Sequence, residues 1–369
     1  MARYLVALRA ALEGSGPALA PVGSTDGPPA QTEVPDDVAL VVRTSGSGGQ
    51  AREVMLGAPA LKASAAATHD RLGGPGRWVL ALPLRHVAGW QVLVRSLASG
   101  TEPAIVAGGV DTGADVVQRA RVPGLPLYAA LVPTQLHRIL AACNEDGDLP
   151  PTLRPWAELD AILVGGAATP SGLLSRARAA GLPVVTTYGM TETCGGCVYD
   201  GLPLAGVALR IEDGTVAVSG PVLANGYLGR PDLDAAAFHT ADGVRWLRTA
   251  DLGALHGGRL TVLGRRDDVI VTGGLKVDPA AVEAVLALDP DVDEVCVVGV
   301  ADDEWGELVV AVVVPRPGTT PDLDGLHQAA GRALGTAAAP RRLVVVDALP
   351  LRGPGKVDRA AARIIAASP

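Results

Sequence analysis

The residues best suited to chemistry lie in five short stretches, each carrying or adjoining a charged side chain. Thr44-Ser45-Gly46-Ser47-Gly48-Gly49 combines small residues with three hydroxyls, and Arg52 follows closely. Backbone N–H groups on such a loop can approach phosphate oxygens because nothing bulky holds them away. The Walker spacing is absent, and the same composition also suits a plain surface loop. In Tyr188-Gly189-Met190-Thr191-Glu192-Thr193, Glu192 offers a hard oxygen to Mg²⁺ and Thr191 a hydroxyl to phosphate. The local alternative is a turn with a helix-capping threonine and an acidic first-turn partner. Asp251, in Arg248-Thr249-Ala250-Asp251-Leu252-Gly253, has two acceptor oxygens that suit paired ribose hydroxyls, or is a turn aspartate. Arg265 suits the same ribose or a phosphate, or is a solvated arginine. Lys356 ends Pro350-Leu351-Arg352-Gly353-Pro354-Gly355-Lys356, a loop that projects a flexible cation toward charge developing on phosphorus, or into solvent.

Elements that would position these residues follow from hydrophobic periodicity. Strands are expected at 38–43, 78–82 and 161–164, with Ala-rich helices at 58–68 and 171–180, which favours an α/β core. Residues 14–37 read as a surface loop. From 201 the texture changes to short strands at 207–211, 215–219 and 259–263, the pattern of a small β-rich subdomain. A helix at 279–288, strands at 293–300 and 308–315, a helix at 322–334 and a strand at 343–346 then describe an α+β unit. The expected domains are 1–265 and 266–369, cut at Gly264-Arg265-Arg266-Asp267-Asp268, where the strand pattern breaks.

Bulk properties narrow the class. The chain has 369 residues, 48% hydrophobic and 19% charged, enough for two buried cores and against wholesale disorder. A formal charge of -8 offers nucleic acid no basic landing surface. Cys194 and Cys197 form a CxxC without a second pair or a nearby histidine, so buried or merely local thiols are expected. No run approaches the roughly 20 apolar residues that span a membrane, and a cytoplasmic location is expected.

Taken together and in order, these stretches resemble the adenylate-forming family of acyl-CoA synthetases, luciferases and peptide-synthetase adenylation domains. TSGSGGQAREV (44–54) is similar to the family's phosphate loop, and YGMTET (188–193) to its nucleotide and magnesium motif. RTADLG (248–253) resembles the ribose segment, GRRDDVIVTGG (264–274) the interdomain hinge, and PLRGPGKVDR (350–359) the catalytic-lysine loop. Within the family, SAAATHDRLGGPGRW (64–78), LVPTQL (131–136), YGMTETCGGCVYDGLPL (188–204) and GKVDR (355–359) are similar to the short actinobacterial o-succinylbenzoate–CoA ligases.

The resemblance implies a large α/β adenylation domain with mixed sheets and a mobile α+β C-terminal domain. It also implies ATP, Mg²⁺ and CoA as the small-molecule partners. The implied reaction is AMP-forming ligation of o-succinylbenzoate to CoA, in menaquinone biosynthesis. Lys356, Glu192 and Thr191 are then catalytic, with Glu192 on the metal. Thr44 to Gly49, Arg52, Gly165, Gly166, Ala167, Tyr188, Gly189, Asp251 and Arg265 contact the nucleotide, and Tyr188 stacks on adenine. His86, in Pro83-Leu84-Arg85-His86, stands beside the acyl pocket, with Arg85 or Thr187 on substrate carboxylates. Asp267 is the pivot, and Gly273 and Gly274 approach the pantetheine channel. Departures from the family loop are Gly48, Ala51 and Arg52, where it has threonine, proline and lysine. They keep open an impaired nucleotide-binding regulator, beside a ligase for another aromatic or fatty acid and an enzyme loading a carrier protein. A shortened N-terminal region bears on any homodimer surface.

Overall fold

A computed structural model describes residues 1–20, 33–44, 52–144, 146–352 and 356–368. The chain starts with helix α1 (Ala2–Glu13) and the antiparallel pair β1 (Val38–Thr44) and β2 (Arg52–Gly57). A run of alternating elements follows: α2 (Ala58–Leu72), β3 (Arg77–Leu80), α3 (Val87–Ala98), β4 (Ala104–Ile105), α4 (Ala114–Ala120), β5 (Leu127–Leu131), α5 (Pro133–Ala141), α6 (Arg154–Ala157), β6 (Ala161–Val164), α7 (Ser171–Ala179), β7 (Val184–Met190), β8 (Gly195–Tyr199) and β9 (Leu202–Pro203). Its strands form one sheet in the order β4-β3-β5-β6-β7-β8-β9. The first five of these are parallel, whereas β8 and β9 return antiparallel. Every residue of β5 (LYAAL) and β6 (AILV) is buried, because helices cover both faces; such strands read as unbroken apolar runs.

The β-rich subdomain comprises β10 (Ala208–Glu212), β11 (Thr215–Ser219), β12 (Gly226–Tyr227), α8 (Pro231–Ala237), β13 (Phe238–Ala241), β14 (Val244–His256) and β15 (Arg259–Arg265). Strand β12 joins β2, and the other four strands with β14 at their centre make an antiparallel sheet. The 13-residue β14 alternates: Leu247, Thr249, Asp251 and Gly253 point inward and their neighbours outward. Asp251 is therefore a buried strand residue, and the turn reading is corrected. Periodicity missed this strand because polar Thr249 and Asp251 occupy its inward face.

A single 3₁₀ turn, Arg266–Asp268, leads to β16 (Ile270–Thr272), β17 (Leu275–Val277), α9 (Pro279–Leu286), β18 (Val292–Asp302), β19 (Gly306–Pro315), α10 (Leu323–Leu334), β20 (Arg342–Val345), β21 (Leu351–Arg352), β22 (Lys356–Val357) and α11 (Arg359–Ala367). The sheet order is β17-β16-β19-β18, with β20 parallel to β19. Helices α9 and α10 cover one face and α11 the other, giving two apolar clusters drawn from residues 270–366. The clusters of the preceding region draw on residues 8–260. The chain is thus an α/β protein with a large mixed-sheet N-terminal region and a smaller α+β C-terminal one.

Lys356 was expected in a projecting loop; it instead begins β22, paired with β21. Just beyond it, Asp358 caps α11 by accepting from the N–H groups of Ala360 and Ala361 at 3.1 and 3.2 Å. Arg359 then donates Nη1 and Nη2 to Glu283 Oε1 and Oε2 at 2.6 and 2.8 Å, and Nη1 also reaches Val297 O at 2.8 Å. The bidentate geometry ties the Lys356 segment to α9 and β18 at once. Removing one partner strands the other's charge in the interior. Arg359→Met is expected to destabilise the C-terminal region by about 3 kcal/mol, read from hydrogen–deuterium exchange of β18 and β19 in urea. The double variant Arg359→Met/Glu283→Leu should recover most of that loss.

Candidate active site

Strand β6 ends at Val164 opposite Thr186, while β7 runs on to Met190, and at the carboxyl ends of neighbouring parallel strands an open α/β sheet leaves a crevice. Beyond β6 lie Gly165, Gly166 and Ala167. A Cβ on Gly165 would overlap Thr187 Oγ1 and stand 2.8 Å from Thr187 O, so the loop lies flat against β7. Thr187 Oγ1 donates to Val164 O at 3.3 Å, which directs it to the backbone rather than to a substrate carboxylate. Gly189 lies where β7 meets β8; a Cβ there would overlap Gly195 O and stand 2.7 Å from Gly196 Cα.

Tyr188 and Gly189 thus belong to the strand, and the local turn reading of 188–193 is corrected: the turn is Thr191–Thr193 alone. Its capping hydroxyl belongs to Thr193, whose Oγ1 receives Met190 N–H at 2.9 Å. Thr191 contributes its carbonyl, which accepts Cys194 N–H at 3.0 Å. Cys194 and Cys197 are buried and free, and burial pushes both thiols up, Cys197 to about 12. Among the described residues no group of three His, Cys, Asp or Glu side chains could hold a metal.

Asp251 organises the first cluster. Tyr188 donates its hydroxyl to Asp251 Oδ2 at 2.8 Å, and Arg265 Nη1 donates to Oδ1 at 2.9 Å. The strand register makes the arginine contact inevitable, since Asp251 and Arg265 are directly opposed on β14 and β15. Thr249 Oγ1 receives the Asp251 N–H at 3.1 Å. Burial, then the adjacent carboxylate, pushes the Tyr188 phenol well above its usual range, so it remains a donor. Arg265 Nη2 also reaches Asp267 Oδ2 at 3.2 Å, linking this cluster to the 3₁₀ turn.

A second cluster surrounds Glu192. Tyr227, on β12, donates its hydroxyl to Glu192 Oε1 at 2.8 Å. Among the described residues Oε2 has no hydrogen-bond partner, which suits a hard cation that takes its remaining ligands from phosphate and water. Arg52 stands with its guanidinium carbon 5.8 Å from the Tyr227 ring centre, so its charge is directed to this pair. Thr44 Oγ1 donates to Arg52 O at 3.4 Å, closing the base of the intervening loop. Ser45, Gly46, Ser47, Gly48 and Gly49 lie outside the described residues, as does Ala51. Tyr227 was missed in the sequence because nothing local to Gly226-Tyr227 points to a carboxylate 35 positions earlier.

The third cluster joins the two halves of the molecule. A Cβ placed on Gly166 would stand 3.6 Å from Lys356 Cε and 3.7 Å from Val132 Cγ1, so the lysine stem passes along the Gly165–Ala167 loop. His86, at the start of α3, accepts from Arg85 Nε through its own Nε2 at 3.0 Å. Burial first, then the charges of Arg85 and Lys356, lower His86 to about 4. The imidazole is accordingly neutral near pH 7, flanked by one cation from its own segment and one from the C-terminal region. Gly273 and Gly274 form the β16–β17 turn with φ of 56° and 77°, and Gly273 N–H donates to Trp305 O at 2.8 Å. Their contacts are thus made with Trp305 rather than with the Lys356 cluster.

Removing either cation should relax His86 toward the ordinary histidine value. In ¹⁵N NMR titrations the His86 imidazole is expected to stay neutral down to about pH 5 in the wild type. Arg85→Met and Lys356→Met should each raise its pKa, the first by more. An unchanged value in Lys356→Met would place the lysine outside the site.

With this geometry established, the chain was compared with known proteins. The profile of the AMP-binding enzyme family matches residues 7–228, and that of the AMP-binding enzyme C-terminal domain matches residues 281–356. A probable 2-succinylbenzoate–CoA ligase of Mycobacterium tuberculosis is 46% identical over 380 residues, covering 98% of this chain and 94% of its own. The o-succinylbenzoate CoA synthetase of Bacillus subtilis, solved with its acyl-adenylate intermediate, superposes with a TM-score of 0.74 at 30% identity over 88% of this chain and 69% of its own. ATP-bound MatB of Rhodopseudomonas palustris gives a TM-score of 0.78 at 27% identity over 89% and 68%. By sequence and by structure, the chain belongs to the AMP-binding enzyme family and lies close to its o-succinylbenzoate–CoA ligases.

Proposed function

We propose that this chain joins o-succinylbenzoate to coenzyme A through an acyl-adenylate formed from ATP, as a step of menaquinone biosynthesis. The observation that carries the reading is the seat of Lys356: a C-terminal lysine laid along the Gly165–Ala167 loop, beside a neutral His86 and Arg85. Two cations beside one neutral imidazole suit an acid with two carboxylates, one to react and one to be held. The 46% identical relative and the acyl-adenylate-bound Bacillus subtilis enzyme support that acid.

In the first half-reaction a carboxylate oxygen attacks the α-phosphorus of ATP, and the bond to pyrophosphate breaks as the new O–P bond forms. Lys356 offsets the charge that develops on the phosphoryl oxygens. Asp251 accepts the ribose hydroxyls, sharing them with Arg265, while the 44–49 loop, Arg52 and Thr191 engage the phosphates. Gly165, Gly166 and Ala167 border adenine and acyl group, Gly189 lets β7 close on β8 beside the nucleotide, and the Tyr188 ring lies against adenine. Mg²⁺, held by Glu192, would neutralise charge on the triphosphate. In the second half-reaction the CoA sulfur loses its proton and attacks the acyl carbon, and AMP departs with the electrons of the C–O bond. A turn about Asp267 withdraws Lys356 and carries Gly273 and Gly274 toward the pantetheine channel. Arg52, held at the Glu192–Tyr227 pair, keeps a cation where the loop has lost the family lysine, which favours an active enzyme.

An aromatic acid with one carboxylate is the second reading, favoured by 33% identity to an indoleacetate–CoA ligase of Aromatoleum aromaticum. A panel of acids assayed with ATP and Mg²⁺, with and without CoA, separates the two. Formation of o-succinylbenzoyl-CoA far faster than any monoacid thioester is expected; preference for a monoacid would overturn the substrate assignment. Lys356→Ala should slow acid-dependent pyrophosphate release by about 100-fold or more, yet leave CoA attack on supplied acyl-adenylate within about threefold. Equal loss of both steps in a folded variant would contradict this division of labour.

A further inference from the structure

Lys356 reaches its seat only because the C-terminal region docks on the large one, and a second contact fixes that docking. Helix α5 follows β5 and begins beside the Gly165–Ala167 loop, where a Cβ on Gly166 would meet both Val132, its cap, and Lys356. Farther along the same helix, His137 Nε2 meets Asp293 Oδ1, at the start of β18, at 3.4 Å. Both side chains are only partly exposed. The next residue, Glu294, is half-buried; burial pushes its carboxyl up, opposed by His137, reinforced by Asp293 and opposed more weakly by Arg138. The two regions therefore touch at two points on one helix and its adjoining loop. Within the C-terminal region those points are rigidly connected. Arg359, three residues from Lys356, is bonded to Val297 O on β18, and Glu283 Oε1 accepts the Val297 N–H at 2.7 Å. Asp293 and Lys356 must move as one body.

We propose that His137 and Arg138 form a seat for Asp293 and Glu294, and that this contact holds the small domain where Lys356 reaches the Gly165–Ala167 loop. These four are positioning residues: none touches the reacting atoms, and each acts through Lys356. The contact favours adenylation and opposes departure of the lysine for the CoA step. Its strength is therefore a compromise between the two half-reactions.

The kinetic part of the test rests on the adenylation role of Lys356; the structural part does not. Hydrogen–deuterium exchange in 133–141 and 292–298 should rise together in Asp293→Asn/Glu294→Gln, and likewise in His137→Ala. His137→Lys, which keeps a donor at this position, should restore wild-type protection. Using whichever acid the enzyme adenylates, the neutralised variants should lose about threefold to tenfold in adenylation rate. CoA attack on supplied acyl-adenylate should be unchanged or faster. In a Lys356→Ala background the same substitutions should cost nothing further in adenylation. Unchanged exchange protection of the β19 core, residues 309–313, checks that the small domain remains folded. Unchanged exchange in both segments, or equal slowing of both half-reactions, would overturn the proposal. Failure of every acid tested would count against the functional reading alone, because the exchange result still decides whether the contact exists in solution.

Discussion

The bidentate pair between Arg359 and Glu283 is the interaction on which the site depends most. Lys356 has a long, flexible stem, and a lysine on a loose tail would sample many positions besides the useful one. Here its backbone is fixed by a short strand pair, by the α11 cap at Asp358 and by a guanidinium shared between α9 and β18. The arrangement turns a surface cation into part of a rigid body, so the position of the whole C-terminal region decides where the charge lies.

The large domain meets this body with surfaces that allow little adjustment. Gly165 and Gly189 stand where any side chain would strike neighbouring backbone, so β6, β7 and β8 converge without intervening atoms. Polar groups that would be costly if buried alone are instead consumed in pairs. Asp251 is taken by Tyr188 and Arg265, and Glu192 by Tyr227. His86 solves the same problem differently: burial and two nearby cations keep it uncharged, so it needs no counter-ion.

Much of this architecture was legible in the sequence where one physical rule acted alone. Buried parallel strands such as 161–164 are continuous apolar runs, and the α+β order after residue 268 follows from simple periodicity. Strand β14 escaped because its inward face carries polar Thr249 and Asp251, which breaks the hydrophobic alternation. The motifs located Asp251, Glu192, Arg265 and Lys356, since their neighbours are local glycines and hydroxyls. Tyr227, Thr193, Val132 and the His137–Asp293 contact were invisible for a common reason. Each acts through geometry that the local sequence does not encode, either a distant partner or the exact closure of a turn.

Arg265 holds two carboxylates at once, Asp251 inside the site and Asp267 in the connecting turn. On the proposed reading, a nucleotide whose hydroxyls compete for Asp251 would change the share of the guanidinium left for Asp267, and so the torsional freedom of the connection. Linkage then runs both ways: whatever factor occupancy contributes to the orientation equilibrium, orientation must return to nucleotide affinity. Release of AMP and resetting of the small domain would then be two readings of one side chain's divided allegiance.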